Sequence, residues 1–134
     1  MNLFVDTSVW SLAMRRDSPT DAPEVHRLRE ALGSQEPAYT TGIVLQELLQ
    51  GFRGPKARQA ILDRFTALPM INPDRDDYVA AANVRNECRG HGVQLGTIDA
   101  LLVQLCLRYD LVMLAADGDF RHAARHLPLR VWRK

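Results

Sequence analysis

Apolar runs and helical stripes alternate along the chain. Leu3-Phe4-Val5 is a continuous apolar run of the kind a buried strand shows, and it stops on the polar triplet Asp6-Thr7-Ser8. Val9 to Arg15 and Glu24 to Leu32 carry helical spacing on either side of the breaker-rich stretch RDSPTDAP, and Gly33 is placed to stop the second helix. The stretch TTGIVLQELLQGF predicts a helix capped near Thr40 or Thr41 and ending at Gly51. Another helix follows in GPKARQAILDRFTAL, with Pro55 suited to its first turn. Met70-Ile71 is a short strand candidate, and Asn72-Pro73 leads from it into a helix over DRDDYVAAANVRNECR that Gly90 and Gly92 terminate. Asp74, Asp76 and Asp77 read as favourable charges at the positive end of that helix dipole rather than as metal ligands.

In TIDALLVQLCLRYD, Ile98, Leu101, Leu102 and Leu105 recur at i, i+3, i+4 and i+7 and predict a core-facing stripe. LVMLAA is a second continuous apolar strand. It ends at Asp117, and a short helix in FRHAARHL and a last strand near LRVW complete the pattern. Strands alternating with helices predict an α/β fold with a mainly parallel sheet covered on both faces. No internal repeat, linker or low-complexity tract interrupts the 134 residues, so a single domain spanning residues 1–134 is expected.

Composition narrows the function classes. Apolar residues make up 46% and charged residues 25%, the profile of a globular protein rather than a disordered one. The formal net charge is only +1, so a nucleic-acid partner would have to be recognised through local patches. Fifteen of the 17 basic residues are Arg, which suits bidentate phosphate contacts and equally suits a simple bias of genomic base content. Cys88 and Cys106 have no CxxC spacing and read as reduced core residues. No apolar run reaches the roughly 18 residues of a membrane span, and a soluble, cytoplasmic protein without membrane association is expected.

The strand that ends on Asp6 admits two readings. Asp, Thr and Ser start helices and turns, so Asp6-Thr7-Ser8 can be the beginning of the next helix. Alternatively, a carboxylate beyond the carboxyl end of a parallel strand faces the crevice in which such sheets bind ligands. The second apolar strand runs into Asp117 in the same manner. Glu47 has Ile43 and Val44 as its i−4 and i−3 neighbours and should emerge at the margin of buried surface. Asp99 falls in the first turn of its helix, after an expected cap at Thr97, beside the direction of Leu102 and Cys106. If the four acids converge, their repulsion needs compensation, and a divalent cation supplies it. An all-oxygen set suits Mg²⁺ or Mn²⁺, whose chemistry with phosphodiesters is hydrolysis.

The stretches LFVDTSVW, VLQELLQG, TIDALL and LVMLAADGDF resemble, in order and spacing, the four acidic motifs of PIN-domain ribonucleases, and in particular the VapC toxins of toxin–antitoxin modules. The resemblance covers nearly the whole chain. It implies a three-layer α/β/α PIN-like fold, metal-dependent RNA cleavage, a homodimer, and inhibition by a cognate VapB-type antitoxin. It also implies that Asp6, Glu47, Asp99 and Asp117 form the catalytic, metal-binding acid set, with Asp6 and Asp99 as direct ligands and Glu47 acting through water. Thr7 and Ser8 match the hydroxyl positions beside the first acid. Ala115-Ala116 departs from the pattern, because many relatives place a Thr before the fourth acid. Asp119 is either a fifth acid at the rim or the N-cap of the helix in FRHAARHL.

Arg15, Arg16, Arg53 and Arg121 are candidates for contacts to an RNA backbone, as are Lys56, Arg58 and Arg125, although solvated helix faces explain them as well. His122 and His126 have the i, i+4 spacing of zinc helices but lack the glutamate of HExxH, which favours a surface pair. No GxSxG, GxxxxGK or strand-linked GxGxxG is present. The competing functions are a noncatalytic PIN-like interaction module, a metal-dependent phosphatase using Asp6 as nucleophile, and a phospho-accepting receiver. Ser8 weakens the phosphatase by standing where a second acid would be needed, and Lys56 and Lys134 are the only lysines available for a receiver switch.

Overall fold

The first strand, β1 (Leu3–Val5), is apolar and buried at every position because it lies in the middle of a sheet. A computed structural model describes residues 1–15 and 21–134. In it β1 pairs on one side with β2 (Ala38–Thr41) and on the other with β4 (Val112–Leu114), while β3 (Met70–Ile71) and β5 (Arg130–Val131) form the edges. The order is β3-β2-β1-β4-β5 and every pairing is parallel. Helices α1 (Thr7–Met14), α2 (Pro23–Gly33), α3 (Gly42–Gly51), α4 (Pro55–Thr66), α5 (Arg75–Gly90), α6 (Thr97–Tyr109) and α7 (Asp119–Ala124) supply the crossovers, giving the three-layer α/β/α arrangement. Covering on both faces is why β1 and β4 read as unbroken apolar runs. The buried side chains of the strands and of all seven helices form one connected cluster, with Phe4, Met113 and Phe120 among its fully buried members.

The third helix runs to Gly51 from a cap position at Thr41, as its pattern predicted, but Thr40 and Thr41 are also buried residues of β2, a strand that no apolar run announced. Thr41 occupies the N-cap position of α3, but its hydroxyl makes no cap bond and donates instead to the Ile71 carbonyl at 2.7 Å, joining β2 to β3. β-branched Thr suits a pleated strand, and here that preference outweighs its capping tendency. In α6 the stripe is also displaced. Leu102 and Leu105 are buried together with Ala100, Val103 and Cys106, whereas Leu101 is half-buried and Ile98 is exposed. The cap of α6 falls at Gly96, so Thr97 is already helical.

The acids opening α5 behave as helix charges. Asp74 and Asp77 form a reciprocal capping box, and Asp77 is buried against Arg108 of α6 at 2.7 Å. Cys88 and Cys106 are buried free thiols. Among the described residues no helix is long and apolar enough to cross a membrane.

Candidate functional site

The register of the central strands sets the site. Leu3, Phe4 and Val5 pair with Val112, Met113 and Leu114, so β1 and β4 end level with each other. The Asp6 backbone N–H donates to the Leu114 carbonyl at 2.9 Å, which places the first acid beside the segment that carries Asp117.

Asp6 satisfies both readings of its triplet. It is the N-cap of α1, accepting through Oδ2 from the Ser8 backbone N–H at 3.1 Å and from the Ser8 hydroxyl at 2.6 Å. It is also buried at the carboxyl edge of the sheet. The Ser8 hydroxyl in turn accepts from the Ala116 backbone N–H at 3.0 Å. One oxygen therefore ties the end of β1 to the turn after β4. Thr7 does the corresponding work for the second acid, its hydroxyl donating to Glu47 Oε1 at 2.8 Å. Glu47 itself is half-buried on α3, at the margin the helix pattern indicated.

Asp99 lies in the first turn of α6 and is half-buried. Its pKa is pushed up to about 6, first by burial and then by the charges of Asp6, Asp117, Asp119 and Glu47. Acids from α3, α6 and both strand ends thus share one electrostatic neighbourhood. Asp6 is raised as well: burial outweighs its two bonds from Ser8, and the charges of Asp117 and Glu47 add to the rise. Asp117 is the most open of the four. Its side chain is exposed, yet the surrounding protein crowds the carboxyl enough to raise its pKa against the bond it accepts from the Asp119 backbone N–H at 3.1 Å.

Asp119 is not an N-cap. Gly118 holds that position, Asp119 is the first helical residue of α7, and it is Asp117 whose carboxylate receives the free N–H. Asp119 remains exposed, and its charge still acts on Asp99 and Asp117.

Among the described residues no Arg, Lys or His forms an ion pair with Asp6, Glu47, Asp99 or Asp117. A buried or half-buried carboxylate beside other acids, as Asp6 and Asp99 are, is costly without a cation to neutralise it. The oxygen-only donor set fits a hard divalent cation. No three His, Cys, Asp or Glu side chains among the described residues stand close enough to enclose an ion unaided.

The basic candidates are less organised. Arg15 and Arg53 are exposed, Arg121 turns to Glu24 at 3.7 Å, and Arg16 lies outside the described residues. His126 does pair, but with His91 instead of His122: the two rings are stacked, with centroids 4.2 Å apart. Neither this contact nor the Ser8 bridge to Ala116 was visible in the sequence, since each joins segments that only the fold brings together.

Comparison with known proteins places this geometry in a family context. A model of the PIN domain matches residues 3–126. VapBC2 of Rickettsia felis, solved bound to a promoter DNA fragment, superposes with a TM-score of 0.75 at 19% identity over 98% of each chain. FitAcB of Neisseria gonorrhoeae gives 0.69 at 19% identity, covering 98% of this chain and 96% of its own. VapC20 of Mycobacterium tuberculosis, described as a toxin that cleaves the sarcin-ricin loop, gives 0.69 at 21% identity, covering 96% of this chain and 99% of its own.

Proposed function

The chain belongs to the PIN domain family, and on that premise we propose that it is a metal-dependent endoribonuclease acting as the toxin of a toxin–antitoxin pair. The observation that carries the reading is the acid cluster itself: four carboxylates from four elements, two of them raised by burial and mutual repulsion, with no protein cation among the described residues to balance them. Asp6 and Asp99 would hold Mg²⁺ or Mn²⁺ directly, Glu47 through water, and Asp117 would close the open side. A cation held there would lower the pKa of an attacking water and neutralise charge on the leaving oxygen.

The chain's own residues supply the positioning. Ser8 fixes one oxygen of Asp6 and the backbone at Ala116 together, and Thr7 fixes Glu47, so two of the acids present set orientations before any ligand arrives. The substrate is RNA in this reading, and the similarity to VapBC and FitAB complexes supports a VapB-type antitoxin as partner. A homodimer of single-domain chains acting in the cytoplasm completes it.

Purified, antitoxin-free protein incubated with total cellular RNA should produce discrete new ends with Mg²⁺ or Mn²⁺, none with chelator, and none from an Asp99→Asn variant. Cleavage that persists unchanged in Asp6→Asn, Asp99→Asn and Asp117→Asn variants would sink the reading.

A further inference from the structure

Two segments adjacent in sequence to the elements that carry Asp99 and Asp117 each hold an exposed histidine. His91 caps the end of α5 on the loop that leads into the helix of Asp99, and His126 follows α7, the helix after Asp117. Their rings stack with centroids 4.2 Å apart and planes only 9° from parallel. Neither side chain makes an ion pair or a hydrogen bond among the described residues.

The pair is poorly suited to a metal, because imidazole lone pairs lie in the ring planes and stacked rings do not point them at a common atom. No third ligand joins them among the described residues. Nor is it a core contact, since both residues are exposed. What it does offer is a flat, parallel π surface carried by two exposed residues. Arg89, in the last turn of α5, and Arg121, His122 and Arg125 around α7 are exposed polar neighbours in the same two segments. In a chain with net charge +1, such a local grouping is where a phosphate backbone would find positive charge.

We propose that the His91–His126 stack is a platform on which an unpaired base of the RNA strand continues the stacking. This rests on the ribonuclease reading and adds to it a base-stacking contact that the His91–His126 pair makes with the strand. Proteins recognise single-stranded RNA by stacking bases on aromatic side chains, histidine included, and the contact tolerates different bases because each has a π face.

The test uses full-length protein carrying Asp99→Asn, so that RNA is bound without being cut. Fluorescence anisotropy would follow a labelled single-stranded oligoribonucleotide of mixed sequence, and the same strand annealed to its complement. A His91→Ala/His126→Ala double variant should bind the single strand roughly fivefold to 150-fold more weakly, the loss expected when one base loses its stacking partner. His91→Phe/His126→Phe should retain parental affinity, and duplex binding should be unchanged in both. Parental single-strand affinity in the double-Ala variant overturns the platform while metal-dependent cleavage by wild-type protein keeps the ribonuclease reading intact. Rescue by Lys but not by Phe also overturns it, reducing the pair to charge. Wild-type protein that neither binds nor cuts RNA overturns both.

Discussion

Ser8 shows how much a single hydroxyl can organise. Its oxygen donates to Asp6 Oδ2 and accepts from Ala116 N, so it couples the first acid to the turn that presents the fourth. Ser8→Ala should therefore lower RNA cleavage or Mn²⁺ affinity by roughly 10–100-fold, the usual cost of removing a residue that orients a ligand. A Mn²⁺ titration of cleavage measures the effect, and Ser8→Thr, which keeps the hydroxyl, should lose far less. An alanine variant with wild-type metal dependence would show that the bridge is incidental. The acids were legible in the sequence because each interrupts an apolar pattern at a definite place. The bridge was not, because nothing local to Ser8 indicates that residue 116 lies beside it. The role of Asp119 was misread for a related reason: Asp117 competes for the same helix end and is the residue that receives the N–H.

At the scale of elements, β2 was the strand that pattern could not find. AYTT contains no apolar run, yet Ala38, Thr40 and Thr41 are buried between β1 and β3. Thr41 satisfies its hydroxyl on Ile71, whereas Thr40, fully buried, leaves Oγ1 with no partner among the described residues. An unpaired buried hydroxyl is destabilising, and valine has nearly the same shape without it. Thr40→Val should stabilise the fold by about 1 kcal/mol, read as a higher urea midpoint at unchanged slope. A lower midpoint would mean that the hydroxyl is satisfied in solution. α6 displays the opposite error: the helix was found but its stripe was misplaced, because packing against both α5 and the sheet buries Ala100, Val103 and Cys106 with Leu102 and Leu105 and leaves Ile98, in the first turn, exposed.

At the scale of the whole molecule, the site exists only because a parallel sheet brings distant acids to one edge. Asp99 carries the electrostatic cost, with its pKa near 6 against 3.8 for the unperturbed group. Between those values the folded state keeps a proton that the unfolded chain has lost. Metal-free stability should thus fall as pH rises from about 4 to about 6 and stay lowered above that window. Asp99→Asn should weaken this dependence, leaving the part that the raised Asp6 and Asp117 contribute, and stabilise the metal-free protein at pH 7, on the order of 1 kcal/mol once partial solvation is discounted. It should also shrink the rise in Tm that Mg²⁺ gives to wild-type protein. Thermal melts at pH 4 and pH 7, with and without Mg²⁺, would decide; identical melts for both proteins in all four conditions would place Asp99 outside the cluster. The same sheet order has a consequence for synthesis. β1 is made first but sits in the centre, with one neighbour, β4, more than a hundred residues away. On the ribosome it must wait, unpaired on that side, until nearly all of the chain has emerged, because the long-range pairing forms late. Asp6 accordingly meets Asp117 only after β4 has emerged, and a polypeptide broken off before β4 carries three of the four acids without the strand that brings the fourth beside the first.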